Sequence, residues 1–168
     1  MKNYIFKQVR QPSRQQSRQQ SRQQSINPNH HYQFIIIDSF FKALYHFSPL
    51  LQYFGVTGFM KQLIKAIMPN RIFYFLSNSG QLSACGCLNV GFCRYYQVNA
   101  SDVVIGSIWT QPEFRGQGLA TIGILAAMNH MISRGFNTFY IDTQENNQAM
   151  LKSIKKLGFG SACGSFIS

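Results

Sequence analysis

The sequence predicts a mixed α/β domain, and three observations carry that expectation. From Ile72 to Thr110, three apolar runs rich in β-branched and aromatic residues follow one another, the pattern of an antiparallel meander. A helical stretch, LATIGILAAMNHMI from Leu119, then leads into another strand-like run, Thr138 to Thr143. A strand–helix–strand crossover of that length pairs its two strands in parallel, with a right-handed connection. Between the third run and the helix lies a basic, glycine-rich turn, Arg115-Gly116-Gln117-Gly118.

A length of 168 residues with 45% hydrophobic content suits one domain with a real core. The net charge of +11 is uneven, because residues 1–31 carry six basic side chains and no acid. Within them Ser-Arg-Gln-Gln repeats three times from Ser13, and no apolar residue lies between Pro12 and Ile26. Such a segment buries too little surface to offset its ordering entropy. Residues 1–31 are therefore expected to be a disordered basic low-complexity tail, and 32–168 the folded domain. Nucleic acid or anionic lipid is one partner for the tail's arginines. A tract without a partner is the preferred reading, since no aromatics interleave with the charges. The many glutamines and the want of an apolar face argue against a transit peptide.

No apolar stretch follows the early charges, so no secretory signal is expected. Phe34 to Met68 is the most apolar window, but Asp38, Lys42, His46, Lys61 and Lys65 interrupt it. It holds no run of about 20 uncharged apolar residues, so no membrane span is expected, and the cytoplasm is the expected location. The window reads as one or two helices broken near Ser48-Pro49 and Gly55. Phe40, Phe41, Leu44, Tyr45 and Phe47 would form one apolar face, and Phe59, Leu63, Ile64, Ile67 and Met68 the next. Pro69-Asn70 stops it.

From Arg71 the period changes. Ile72 to Leu76 reads as a buried strand, Asn78-Ser79-Gly80 as a turn, Leu82 to Val90 as a second strand and Val103 to Thr110 as a third. Residues 91–101 between the last two are irregular. Gly135 closes the long helix. Asn147 to Lys156 reads as another helix, closed by Gly158, and the remaining residues add one edge strand. Cys85, Cys87, Cys93 and Cys163 have no zinc spacing, so no metal is expected; they read as small buried apolar residues.

A strand, a glycine turn and a helix start make an anion site. Helix N-terminal N–H groups lack partners and carry partial positive charge, and glycine admits positive φ and close approach. A pyrophosphate suits it. The turn has neither G-K-[ST] nor G-x-G-x-x-G, which excludes the phosphate loop of nucleotide hydrolases and the dinucleotide fingerprint.

Arg115, Gly118 and Ala120 read as R-x-x-G-x-A, which resembles motif A of the GNAT superfamily of acetyl-CoA-dependent N-acetyltransferases. Thr110 to Gly118 resembles the usual lead-in. Asn147-Gln148-Ala149-Met150 with Leu157-Gly158-Phe159 resembles motif B of that family. The pair, in order and correctly spaced, covers roughly residues 103–160. The resemblance implies a GNAT-like fold: a mixed twisted sheet with splayed central strands and helices on both faces. It also implies acetyl-CoA as co-substrate, with no metal. The pantetheine arm would pair with backbone at Ile108, Trp109 and Thr110. The pyrophosphate would lie on Arg115, Gly116, Gln117, Gly118, Leu119, Ala120 and Thr121, with Arg115 adding a direct charge. Asn147 would meet the pantetheine arm, cap the following helix, or both.

One departure concerns proton transfer. Many members carry a tyrosine as thiolate acid at the position of Ile154. Glu113 is the catalytic base chosen from the sequence, with Asp142, Glu145, His46 or a water chain as alternatives. The implied reaction moves an acetyl group from acetyl-CoA to a primary amine of a small molecule or peptide by direct attack in a ternary complex. The alternative is an inactive acyl-CoA-binding module. Tyr45, Phe47, Tyr53, Phe54, Tyr95 and Tyr96 either line an apolar acceptor pocket or belong to the core. The shortage of acids argues against a polyamine or aminoglycoside acceptor.

Overall fold

The computed structural model describes residues 1–10, 32–46, 51 and 70–167. In chain order they form β1 (Lys2–Val9), β2 (Tyr32–Ile37), α1 (Phe40–Tyr45), β3 (Arg71–Asn78), β4 (Gln81–Val90) and β5 (Asp102–Thr110). A 3-10 turn (Pro112–Phe114), α2 (Leu119–Ser133), β6 (Thr138–Gln144), α3 (Gln148–Lys156) and β7 (Gly164–Ile167) follow. The strands make one sheet in the order β2-β3-β4-β5-β6-β1-β7. The β5–β6 pair alone is parallel among them, as the crossover through α2 requires.

Local chemistry explains most of these elements. The β3–β4 hairpin turns on Ser79 and Gly80, both at positive φ (50° and 84°), the backbone that keeps a tight hairpin's twist. Gly135 (φ 91°) ends α2, where the Phe136 N–H reaches back to the Met131 carbonyl at 3.1 Å. Gly158 (φ 83°) ends α3 the same way, through Phe159 N–H and the Ile154 carbonyl at 3.2 Å.

The main core lies on the face that carries α2 and α3, here the helix face. Ile124, Ala127, Met128 and Met131 of α2 and Ile154 of α3 pack on Tyr74, Leu88, Val103, Ile105, Phe139 and Ile141. The Tyr74 ring crosses β4 where it has no side chain, since a Cβ on Gly86 would overlap it. A Cβ on Gly123 of α2 would come within 2.9 Å of the same ring. Two glycines thus let one tyrosine lie flat between sheet and helix. On the far face, Ile35, Ile37, Phe73, Phe75, Leu82 and Cys87 form a second cluster with Leu51 packed against it.

Three expectations need correction. Residues 2–9 do not belong to a tail: they form β1, inserted between β6 and β7, with Ile5 and Phe6 buried. Charge and neighbouring repeats hid a strand whose strand partners lie at the far end of the chain. Phe34 to Ile37 is strand rather than helix; a short apolar run suits either period, and three successive β-branched isoleucines beside the edge of β3 settle it as β2. In α1, Phe41, Leu44 and Tyr45 are exposed instead of forming a buried face. Residues 11–31 and the second expected helix, Phe59 to Met68, lie outside the described residues.

Because β1 supplies core residues and the partner of β6, its loss unravels that side of the sheet. Phe6→Ala is expected to cost about 3–5 kcal/mol, read as a lowered urea midpoint with an unchanged slope.

Candidate active site

The site begins with an irregularity in β5. Cys87 pairs with Gly106 and Cys85 with Trp109, so Gly86 alone stands opposite Ser107 and Ile108. That two-against-one pairing is a β-bulge, and Ser107 takes the left-handed backbone (φ 50°) that it requires. On its other edge, β5 pairs with β6 from Asp102–Thr138 to Ile105–Ile141, and there the pairing ends. Beyond it β5 stays with β4, through Trp109–Cys85 and Thr110–Ala84. β6 stays with β1, through Asp142–Ile5, Thr143–Tyr4 and Gln144–Asn3. The two central strands therefore open as a fork.

Backbone alternation decides what enters the fork. The Gln111 N–H donates to the Ser83 carbonyl on the β4 side at 3.0 Å. The peptide groups of Thr110 and Ile108 consequently turn the other way, into the fork, while that of Trp109 faces β4. The Thr110 carbonyl accepts a hydrogen bond from Arg115 Nε at 3.2 Å. Of the three neighbouring residues expected to bind pantetheine, two offer backbone and Trp109 offers its ring. Paired with Cys85, that ring lies on the far face and is 42% exposed.

The glycine turn closes the fork's outer end. Gly116 and Gly118 have φ of 80° and 76°, and a Cβ on either would meet nothing within 4 Å. Gly118 is the N-cap of α2 and accepts the helix's first bond, from the Ile122 N–H at 3.1 Å. The amides of Leu119, Ala120 and Thr121 come before that ladder starts and face outward with the helix's partial positive charge. The Gln117 side chain accepts from the Tyr32 hydroxyl at 2.7 Å, which ties the loop to β2. Open space before a cradle of amides fits a diphosphate, with Arg115 exposed beside it.

The remaining sequence candidates are scattered. Asn147 caps α3, its Oδ1 accepting from the Met150 N–H at 3.1 Å. Glu113 is exposed on the 3-10 turn. Ile154 is buried in the core, so its position supplies no proton donor. Asp142 is the first β6 residue beyond the last pair with β5, and it is only partly exposed. The Tyr96 hydroxyl donates to Asp142 Oδ2 at 3.2 Å. Burial raises the Asp142 carboxyl above the usual carboxylate range, with the Tyr96 bond opposing the rise. Burial likewise raises the Tyr96 phenol, with Asp142 adding to it, so it remains a donor at neutral pH. Sequence reasoning named both residues but could not join them, because they stand 46 positions apart. Among the described residues no three His, Cys, Asp or Glu gather as metal ligands, and none of the four cysteines is in a disulfide. Cys87 is buried as expected, whereas Cys163 is exposed.

A sheet forked at a bulge, with an amide cradle at the start of the crossover helix, defines the acyl-CoA N-acyltransferase class of fold. The model of the acetyltransferase (GNAT) family matches residues 62–159, more than half of the sequence, and the chain belongs to that family. It is thus an acyltransferase, with acetyl-CoA as its co-substrate. No curated protein matches it in sequence. Among solved structures it resembles AAC(6')-Iy bound to the bisubstrate analogue CoA-S-monomethyl-acetylneamine, at 15% identity and TM-score 0.62, covering 82% of this chain and 97% of that one. It also resembles a ribosomal-protein-alanine N-acetyltransferase from Brucella melitensis biovar Abortus 2308, at 12% identity and TM-score 0.58, covering 82% and 98%. A third likeness is to AAC(6')-Ih, an aminoglycoside 6'-N-acetyltransferase from Acinetobacter baumannii, at 16% identity and TM-score 0.55, covering 82% and 96%. No helix among the described residues is long and apolar enough to cross a membrane.

Because Asn147 caps α3, Asn147→Ala should lower stability by about 1 kcal/mol in urea unfolding, whatever it does to coenzyme binding.

Proposed function

We propose that this protein transfers the acetyl group of acetyl-CoA to a primary amine of a small molecule or peptide, by direct attack within a ternary complex. The observation that carries this reading is the end of β5–β6 pairing at Ile105 and Ile141, directly beside the α2 amide cradle. A diphosphate on the amides of residues 115–121, with Arg115 alongside, leaves a pantetheine arm free to run into the fork. There that arm takes the place of a neighbouring strand beside the inward peptide groups of Ile108 and Thr110. Asn147, at the tip of the other arm, can meet the pantetheine with the part of its amide that the cap leaves free.

The reaction needs little more than placement. The amine nitrogen forms a bond to the thioester carbonyl carbon, the carbonyl oxygen becomes anionic, and a backbone N–H in the fork stabilises it. The C–S bond then breaks. With Ile154 buried and apolar, the thiolate leaves as an anion, which a thiol of ordinary pKa near 8.5 tolerates. The amine's proton must go to a base. Glu113, on its exposed turn, was the sequence candidate; a carboxylate at the fork is better placed to receive it.

The fold relatives include enzymes named for aminoglycosides and for a ribosomal-protein alanine, so their names leave the acceptor open. The deciding assay mixes the protein with acetyl-CoA and an amine panel and follows free thiol. Amine-dependent thiol release supports transfer. Tight acetyl-CoA binding with no release across the panel would instead favour an acyl-CoA-binding module. Gly118→Asp should weaken acetyl-CoA binding by about two orders of magnitude in calorimetry, through backbone strain and repulsion of the phosphates. Unchanged affinity in a folded variant would contradict the cradle.

A further inference from the structure

The mouth of the fork on the far face is built from residues that share no stretch of sequence. Trp109 stands on the β5 arm with its ring on that face and well exposed. Asp142 stands on the β6 arm, one residue past the last β5–β6 pair. Strand alternation puts Asp142 and Tyr140 on the same face as Trp109, because Phe139 and Ile141 point into the helix-face core. The 91–101 loop folds over this face and brings the Tyr96 ring to 5.9 Å from that of Tyr140, with its hydroxyl on Asp142. The neighbouring charge on β1 is positive: Lys7 pairs with Tyr140 in register, and its Nζ lies 5.2 Å from the ring centroid. The mouth thus holds the Asp142 carboxylate with aromatic rings on both sides, and the next charge along β1 is Lys7, further in beside Tyr140 and near Asp102.

We infer that Asp142, held by Tyr96, is the residue that receives the acceptor amine and its proton, and that the acceptor is a primary monoamine with a flat apolar body resting on Trp109. This rests on the acetyl-transfer reading above and assigns its acceptor side. The incoming ammonium pairs with the Asp142 carboxylate and is further favoured by the ring faces of Tyr96 and Trp109. One ammonium proton first passes to the carboxylate and frees the nitrogen lone pair; as the N–C bond then forms and the C–S bond breaks, the second proton leaves nitrogen to solvent and the thiolate takes one from solvent. Burial makes Asp142 a stronger base than an exposed carboxylate, which suits that step. A polycation would bring its second charge toward Lys7, which discriminates against polyamines and aminoglycosides. Tyr96 acts through Asp142 and is a positioning residue.

The test uses the full chain, with 2-phenylethylamine, propylamine, spermidine and kanamycin as acceptors. Thiol release should have a kcat/KM for phenylethylamine at least ~tenfold above that for each other amine. Asp142→Asn should lower it at least ~100-fold while acetyl-CoA still binds in calorimetry. Trp109→Ala should cut the preference for phenylethylamine over propylamine by at least ~fivefold. Tyr96→Phe gives a readout that a structural role would not move. The group facing Asp142 is Tyr96 from the loop, with Cys93 beside it; the β1 residue in register with Asp142 is Ile5, and Tyr140 on its own strand lies further in, beside Lys7 and Asp102. Removing the Tyr96 donor destabilises the charged carboxylate, so the acidic limb of the kcat/KM profile should move to higher pH. Full turnover in Asp142→Asn, an unmoved limb in Tyr96→Phe, or a preference for spermidine or kanamycin would overturn the inference. So would acetyl-CoA binding with no thiol release in the presence of any of the four amines. Failure of the unmodified chain to bind acetyl-CoA would be a different result, sinking the transferase reading itself.

Discussion

A single extra residue in β5 sets the geometry on which the rest of this molecule depends. A bulge bends its strand and increases the local twist, and here it follows directly on the last rung between β5 and β6. Parallel strands held along their whole length would satisfy each other's peptide groups and leave no cleft. Turning Ser107 into the left-handed region costs some backbone energy, and the gain is an arm whose inward N–H and C=O groups lack a neighbouring strand. Backbone without a neighbouring strand beside a cleft is a binding surface for an extended, amide-bearing ligand, in the way that an exposed sheet edge is.

Each arm of the fork needs its own support. The β5 arm is held by β4, and the Tyr74 ring seated over Gly86 brings α2 down onto that pair. The β6 arm has β1 as its partner past the fork, so the first strand of the chain shapes that side of the site. β1 is also held from the α3 side. Gln8 Nε2 donates to the Gly158 carbonyl at 3.2 Å, and Arg10 donates to the Leu157 carbonyl at 2.8 Å. These bonds satisfy carbonyls at the helix end, and Arg10 places a cation where the helix dipole favours it.

Charge is distributed to match. The chain is strongly basic, and its amide cradle and Arg115 form one of the places where that favours an anion. The far side of the fork differs, with a half-buried carboxylate, a phenol and an indole. On the proposed reading, one ligand end would be drawn to positive potential and the other would meet a single negative charge. A donor with a diphosphate and an acceptor with an ammonium group would enter from opposite faces and meet where the strands part.

How much of this was legible in the sequence follows the range of the interactions. The glycine turn could be read because its requirements are local: Gly116 and Gly118 adopt positive φ whatever lies elsewhere, and an amide cradle follows from a helix starting at Leu119. The β3 to β6 run and the cap role of Asn147 were legible for the same reason, being periods and contacts within a few residues. Only the tertiary structure made an interior strand of Lys2–Val9, turned Phe34–Ile37 into an edge strand, and joined Tyr96 to Asp142. Those outcomes depend on which distant backbone or side chain arrives alongside, and burial, not local preference, fixes that pairing.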